Sequence, residues 1–277
     1  MKGQTYQTTK GFIRDAKLPE ETRTYKPILH DDLINLTLDC IRNAGFNVSN
    51  EDYTATSDGQ IATGRYVISN LRDSEMKLQV AWQNSYNKMK KAAFAIGARI
   101  TVCDNGMVYG DMGSFKKKHQ GDAQSFVPST IVEYIRQAGE MFKKMQEERE
   151  IMKSVILNQR NQAELVGRML LEVGFISPTQ VSQIANQMKE YRTCRKENKP
   201  VEYDYGTPDS LWELYNFTTY TMKDIHPFSW MADQIAAHKF FTTHMTEMSH
   251  KTVVPVEIVL PEHSDISPNQ LQMEFQN

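Results

Sequence analysis

The pattern of apolar and polar positions divides the chain into a sheet-forming first half and a helical second half. Apolar residues with helical spacing begin near His30 and end at Gly45, a residue that suits the C-terminal cap of a helix. Alternation then favours antiparallel strands, and the dipeptide Asp58-Gly59 is typical of a hairpin turn. Strands are predicted over residues 53–56, 61–68, 76–82, 92–103 and 107–109, with one face of the third strand in water.

Helical spacing returns from Pro128 to about Tyr191. Within this stretch Ser177 followed by Pro178 indicates a helix start, with the serine as N-cap and the proline in the first turn. Further helices are predicted over 210–223 and 228–247, then a final edge strand over 253–260. The expected fold class is α+β, an antiparallel sheet with one covering helix followed by a mainly helical half.

The domain organisation follows from the same pattern. Residues 28–260 are expected to form one domain, sheet-rich over 28–127 and helical over 128–250. The polar residues 1–27 are expected to form an extended N-terminal arm, and residues 261–277 a polar C-terminal tail.

Composition narrows the class of protein. The chain has 277 residues, 40% of them hydrophobic, and a formal net charge of −2, so a nucleic-acid partner would need a local basic surface. The three cysteines Cys40, Cys103 and Cys194 are far apart, which argues against a disulfide framework and a zinc cluster. Neither a secretory signal nor an apolar run of membrane-spanning length is visible, so a cytoplasmic protein without membrane contact is expected.

Short polar residues follow the strand over 76–82 and precede a group of lysines. Asn84, Ser85 and Asn87 can hold a turn by bonding to the backbone. They can also cradle a phosphate, since Lys88 and its neighbours supply positive charge beside hydroxyl and backbone donors. Both interpretations stay open at this point.

The same region carries a surplus of positive charge. Residues 61–119 contain ten basic and four acidic residues, whereas the whole chain is net negative. Aromatic residues are interleaved with them (Tyr66, Trp82, Tyr86, Phe94 and Phe115), and cations with aromatic rings are what a single strand requires. A sheet with solvated lysines on its wet face is the competing explanation. The candidate nucleic-acid-binding residues are Arg65, Lys77, Tyr86, Lys88, Lys90, Lys91, Arg99, Lys116, Lys117, Lys118 and His119.

The residues that could serve in catalysis or metal binding form less specific patterns than the basic region does. Cys103 with His119 could act as a thiol nucleophile and its base, but a buried, inert cysteine is the common alternative. His238 and His244 are six residues apart, which does not place two ligands on one helix face, so no metal site is expected. Walker, His-Glu-x-x-His and Gly-x-Ser-x-Gly patterns are not found, and no cofactor is expected.

An aromatic helix face near Trp212 also stands out. Trp212, Tyr215 and Asn216 share one face of the predicted helix, and we expect Asn216 to bond the backbone of the sheet half and to join the two halves into one domain. The dipeptide Asn105-Gly106 is expected to form a tight turn with Gly106 at positive φ.

Three segments resemble a family found on phages and plasmids, domain of unknown function nine-three-two. They are residues 84–106, the basic residues with His119 over 117–119, and residues 211–220, where Phe217 and Thr219 depart from the usual pattern. The resemblance spans roughly 28–243 and implies a mobile-element protein without an established chemistry. The motif residues are Asn84, Ser85, Asn87, Gly97, Cys103, Asp104, Asn105, Gly106, Trp212, Tyr215 and Asn216.

The predicted layout is also similar to that of single-strand annealing proteins, which assemble into rings with a basic groove. The preferred hypothesis is therefore a phage- or plasmid-encoded, non-catalytic nucleic-acid-binding protein acting in recombination or replication, homo-oligomeric and favouring single-stranded DNA. One alternative is a virion component or counter-defence factor that binds another protein. A nucleotide-acting enzyme that uses Cys103 is the third.

Overall fold

The computed structural model of the protein describes residues 6–103, 105–108, 114–117, 123–223 and 225–252. The predicted strand over 253–260 and the polar tail lie outside these residues, and so do Asp104, Lys118 and His119. The described elements, in chain order, are β1 (Gln7–Thr8), α1 (Lys10–Arg14), α2 (His30–Asn43), β2 (Val48–Ala55), β3 (Ile61–Arg72), β4 (Met76–Ser85), β5 (Ala92–Ile100), β6 (Gly106–Val108), β7 (Ser114–Lys117), α3 (Ala123–Ser154), α4 (Gln159–Arg168), α5 (Pro178–Lys196), α6 (Leu211–Tyr220) and α7 (Trp230–Thr252). A π-helical turn, Met169–Val173, continues α4.

The described strands form one antiparallel sheet in the order β1-β2-β3-β4-β5-β6. β6 pairs with residues 97–99 of β5, and β7 pairs with residues 92–95 of the same strand. Because β4 occupies the other side of β5, β6 and β7 lie on the same edge of the sheet. The predicted α+β class, with the sheet in the first half and helices in the second, is confirmed.

Side-chain alternation gives the sheet two different faces. The first face buries large residues such as Tyr66, Trp82 and Phe94 in a core shared with the helices. The second face carries small residues, among them Ala81 and Ala95, which pack against the first turn of α7.

This second face was expected to meet water along β4, and that expectation is wrong for part of the strand. Gln79 and Gln83 are both buried. The side-chain amide of Gln83 donates to the backbone oxygen of Pro227, in the loop that precedes α7. The loop therefore folds over the sheet and satisfies a polar group that alternation alone assigns to solvent.

Local sequence signals explain where several helices begin. Ser177 accepts from the backbone amide of Gln180, whose side chain reaches back to the Ser177 amide, and Pro178 occupies the first turn of α5. α2 lacks a side-chain cap and has Asp31 and Asp32 in its first turn, where the helix dipole favours anions. Gly174, at φ 73°, ends the π-helical turn.

The N-terminal residues differ from the expected extended arm. Residues 6–27 include β1 and α1, and Ile13 is fully buried in the main core. The hydroxyl of Tyr25 donates to the backbone oxygen of Tyr86 over 3.1 Å. This segment therefore packs on the domain and contributes to its core.

A candidate nucleic-acid interface

The hairpin turn between β4 and β5 is held by its own short polar side chains. The Ser85 hydroxyl accepts from the Lys90 amide and donates to the Lys90 carbonyl oxygen, both over 3.0 Å. Asn87 accepts from the Met89 amide over 3.1 Å. We call residues 85–91 the lysine turn, since they carry Lys88, Lys90 and Lys91.

The strand end beneath the lysine turn is anchored to the start of α2. The Asn84 amide donates to the Ile28 carbonyl oxygen over 2.7 Å and lies 3.0 Å from Nδ1 of His30. The His30 ring stacks on Tyr86 with centroids 3.8 Å apart, and the Tyr86 hydroxyl accepts from the His30 backbone amide over 2.8 Å. Burial raises the pKa of Tyr86 to about 12. These contacts fix the turn relative to the core.

The lysine side chains extend from this anchored turn. Lys88 has a φ of 64°, in the left-handed region that side chains rarely adopt, and its Nζ lies 4.4 Å from the Tyr25 ring centre. Nζ of Lys90 lies 3.7 Å from the Phe228 ring centre. Lys91 is exposed, and no carboxylate of the described residues forms an ion pair with Lys88 or Lys91. Within the described part of the chain, no acidic side chain therefore neutralises these two lysines.

The structure brings some of the other predicted basic residues to this end of the sheet. Lys117 of β7 is the register partner of Ala92, directly after the lysine turn, and Lys116 is the partner of Ala93. The backbone of β7 therefore runs beside the turn.

Arg65, Lys77 and Arg99 do not belong to the same cluster. They lie along the second face of the sheet, where Lys77 and Arg99 are register partners. Arg99 forms an ion pair of 2.6 Å with Asp52, and the Arg65 guanidinium lies 5.2 Å from the Trp230 ring centre. Arg99 is therefore partly neutralised by its own chain.

The aromatic residues that the sequence interleaves with these charges are core residues. Tyr66, Trp82, Tyr86 and Phe94 are all buried, and the Trp82 indole donates to the Tyr66 hydroxyl over 2.9 Å. They cannot stack on a nucleic-acid base. Phe115 is described only by its backbone.

A different set of rings borders the lysine turn. The exposed His226 lies 4.9 Å from the Tyr6 ring and 6.4 Å from the half-buried Phe228 ring, between ring centres. Sequence reasoning missed these residues because they are remote from the turn along the chain. The only local signal is that His226, Pro227 and Phe228 interrupt two helical stretches, as loop residues do.

Two of the motif segments meet in the interior, at the other end of β5. Asn105 donates through its side-chain amide to the Asn216 carbonyl oxygen over 2.9 Å, and the Asn216 amide donates to the Trp212 carbonyl oxygen over 2.9 Å. The Cys103 thiol lies 3.9 Å from Oδ1 of Asn216. The motif residues thus join sheet and helices, although the sheet half contributes side chains where backbone groups were expected.

Gly97 and Gly106 serve the same junction differently. A Cβ on Gly97 would lie 1.9 Å from the Met107 backbone oxygen, so only glycine lets β5 and β6 approach. Gly106 begins β6 and is not among the glycines at positive φ, so the expected left-handed turn at this residue is wrong.

A buried polar group lies beside this junction. Nε2 of His238 is 3.4 Å from a carboxylate oxygen of Glu148, and both side chains are buried. Tyr215 stands edge-on to the His238 ring, and its pKa is raised well above the usual value by burial and by Glu148. Cys103 is likewise buried, so a thiol nucleophile has no substrate access from the surface.

The described part of the chain contains neither a cluster of metal ligands nor a membrane-spanning helix. No group of three or more histidine, cysteine or carboxylate side chains among the described residues could hold a metal ion. Within the described residues, no helix combines the length and the apolar composition that crossing a lipid bilayer requires.

Comparisons with known proteins agree with the motif residues. Searches among curated proteins and among solved structures return no significant match. One family model matches residues 22–248, which is most of the chain and includes the lysine turn and the Cys103–Asn216 junction. The chain therefore belongs to the family described as domain of unknown function (DUF932).

Proposed function

We propose that the protein binds single-stranded nucleic acid through the lysine turn. The observation that carries this proposal is the concentration of Lys88, Lys90 and Lys91 on one anchored turn, with Lys88 and Lys91 lacking acidic partners among the described residues. Phosphate contacts from such cations supply sequence-independent affinity. The backbone of β7, the strand that includes Lys116 and Lys117, runs beside the turn.

The backbone of Lys88 supports a role for its side chain. A left-handed φ costs a residue with a side chain about 1–2 kcal/mol, and glycine would occupy this position without that cost. Lysine is therefore a disfavoured choice for the turn alone. A ligand that contacts the ammonium group gives a reason for it.

The rings beside the turn support a single strand over a duplex. His226 is exposed and Phe228 is half-buried, so both offer surfaces next to Lys90 on which an unpaired base can stack. The role that follows is a non-catalytic one in the recombination or replication of a phage or plasmid, in the host cytoplasm. A homo-oligomer would multiply these contacts along one strand.

The test is binding of a fluorescently labelled single-stranded oligonucleotide at two salt concentrations. In the double variant Lys88→Glu/Lys91→Glu we expect at least tenfold weaker binding at low salt. The slope of log affinity against log salt should fall by about 1.4, because each lost phosphate contact with a single strand removes about 0.7.

The matched control, Lys196→Glu/Lys199→Glu, reverses two exposed lysines, one in the last turn of α5 and one three residues beyond it. This control has the same net charge as the test variant, so a loss shared by both variants would reflect overall charge and contradict the assignment to the turn. The proposed function would be refuted if the wild-type protein showed no binding to the oligonucleotide at low salt.

A second candidate function is the binding of another protein, such as a virion component or a host defence factor. Leu171 in the π-helical turn is 84% exposed, and an apolar groove of about 480 Å³ runs between α4 and α5 beside it. Val166, Leu170, Val181 and Met188 line it. Co-purification that Leu171→Glu abolishes, with oligonucleotide binding absent, would favour this function.

A further inference from the structure

A second groove opens between α5 and the end of α6, with a volume of about 520 Å³. None of its lining residues is charged, and all of them except Ile225 are polar. The side chains that matter here are Thr179, Gln183, Asn186, Gln187 and Tyr220. A groove of this lining offers hydrogen bonds to a neutral ligand and no charge to an ion.

Three amides form the wall that α5 contributes. Gln183, Asn186 and Gln187 are three and four residues apart, so they share one face of the helix. None of the three side-chain amides has a hydrogen-bond partner within the described part of the chain. The side chains of Gln183 and Asn186 are exposed. Each amide presents a donor and an acceptor together, the pattern that reads the edge of a nucleobase.

The opposite wall adds an aromatic ring, and a cation outside the lining lies beside that ring. Tyr220 lines the groove at the end of α6, and Nζ of Lys223 lies 4.3 Å from its ring centre. A base can stack on a tyrosine ring while a nearby lysine contacts the adjoining phosphate. This wall therefore repeats, on a smaller scale, the combination found at the lysine turn.

A short loop connects the groove to the lysine turn. Ile225 lines the groove, His226 follows it, and Phe228 lies under Lys90. Ile225 and Phe228 are three residues apart, so their Cα atoms lie within about 11 Å of each other. One single strand can therefore reach both places, since single-strand-binding folds contact about 4–16 nucleotides.

We propose that this groove receives the bases of the strand whose phosphates contact the lysine turn. The inference rests on the proposed function. It adds that the groove recognises the bases of the nucleic acid and the lysine turn recognises its phosphates. A neutral, amide-lined groove beside a cationic turn is complementary to a ligand in which neutral bases are attached to a negatively charged backbone.

The experiment compares two labelled strands of equal length, one of mixed sequence and one made of abasic nucleotides. For the variant Gln183→Ala/Asn186→Ala/Gln187→Ala we expect at least tenfold weaker binding of the mixed strand and unchanged binding of the abasic strand. The variant Lys88→Glu/Lys91→Glu should weaken both strands. Alanine favours helix at all three positions, so α5 is expected to remain folded, and a melting curve checks this.

The outcomes separate the two proposals. If the triple variant binds both strands as the wild type does while the lysine variant loses both, the groove inference is overturned and the proposed function stands. Equal weakening of both strands by the triple variant also overturns it, because base contacts would then not be the cause. A wild type that binds neither strand overturns both proposals. Gln137→Ala, which removes an exposed amide on α3, should leave both affinities unchanged.

Discussion

Replacing Gly97 by alanine should be one of the most damaging single-methyl changes in the sheet. Gly97 lies in β5 opposite Val108 of β6. An added Cβ would lie 1.9 Å from the Met107 backbone oxygen, whereas such contacts essentially never fall below 3.0 Å. The clash is with backbone, so no side-chain rotation relieves it, and β6 must move by about 1 Å or more.

The magnitude follows from what β6 holds in place. Met107 and Val108 are both buried, and losing the burial of one such side chain costs about 1.5–3 kcal/mol. Each backbone hydrogen bond lost from the β5–β6 pairing adds about 1 kcal/mol. The expected loss in the free energy of unfolding is therefore about 3–5 kcal/mol. With an unfolding entropy of about 2.1 cal/mol/K per residue, a chain of 277 residues should melt about 5–9 °C lower.

The assay is thermal unfolding followed by circular dichroism, with Gly139→Ala as the matched control. Gly139 lies inside α3, and nothing lies within 4 Å of a Cβ added there. The same methyl group should therefore stabilise this helix by about 1 kcal/mol. A Gly97→Ala protein that melts within about 1 °C of the wild type would refute the close approach of β5 and β6.

Three further changes test other parts of the structure. Asn105→Ala should lower the free energy of unfolding in urea by about 1–3 kcal/mol, and its effect should not add to that of Asn216→Ala, because the two residues share one hydrogen-bond network. Lys88→Gly should leave that free energy unchanged or raise it by up to about 1 kcal/mol while weakening oligonucleotide binding; a clear loss of stability would contradict the strained turn. Burial alone would raise the pKa of Asp73, but hydrogen bonds from Gln146, two backbone amides and Arg149 hold it below its usual value. A pKa lowered in the folded state contributes stability that is present above about pH 4 and is lost as the pH falls through the folded-state pKa. Asp73→Asn should therefore be less stable than the wild type at neutral pH, and its stability should fall less steeply toward acid pH. An acid profile identical to that of the wild type would contradict this.

Local signals in the sequence were sufficient for the central strands, for most of the helices and for the internal hydrogen bonds of the lysine turn. Alternation located β3, β4 and β5, and the serine–proline pair located the start of α5. The short elements β1, α1 and β7 carry too little pattern and were not predicted. Asn87 and Ser85 bond to backbone within a few residues of themselves, so their role needs no knowledge of the rest of the fold.

What covers each face of the sheet could not be predicted in the same way. A period of two separates the faces but says nothing about which distant segment packs on them. The run of small residues on the second face, including Ala81, Ala93 and Ala95, was the available signal that something packs closely there. The identity of that partner, Trp230, depends on a chain reversal far along the sequence.

The aromatic rings show the same limit for the candidate site. Tyr86 was assigned to ligand binding, and Trp82 was counted among the rings interleaved with basic residues, yet in the fold both rings are buried. Rings brought in by residues 6 and 226–228 take their place beside the turn. Burial is decided by long-range packing, which charge and aromatic spacing do not encode.

The shortness of the described edge strands β1, β6 and β7 has a consequence for how copies of the protein can meet. A long, flat edge is a template for pairing with another chain, and proteins avoid this with short or broken edges. Among the described residues, one outer edge is formed by β6 with three residues and β7 with four, and on the opposite edge β1 has two residues, which pair with Tyr53 and Thr54 of β2. Edge strands this short disfavour strand addition at β1, β6 and β7, which favours helices or loops as the contacts of a ring or filament.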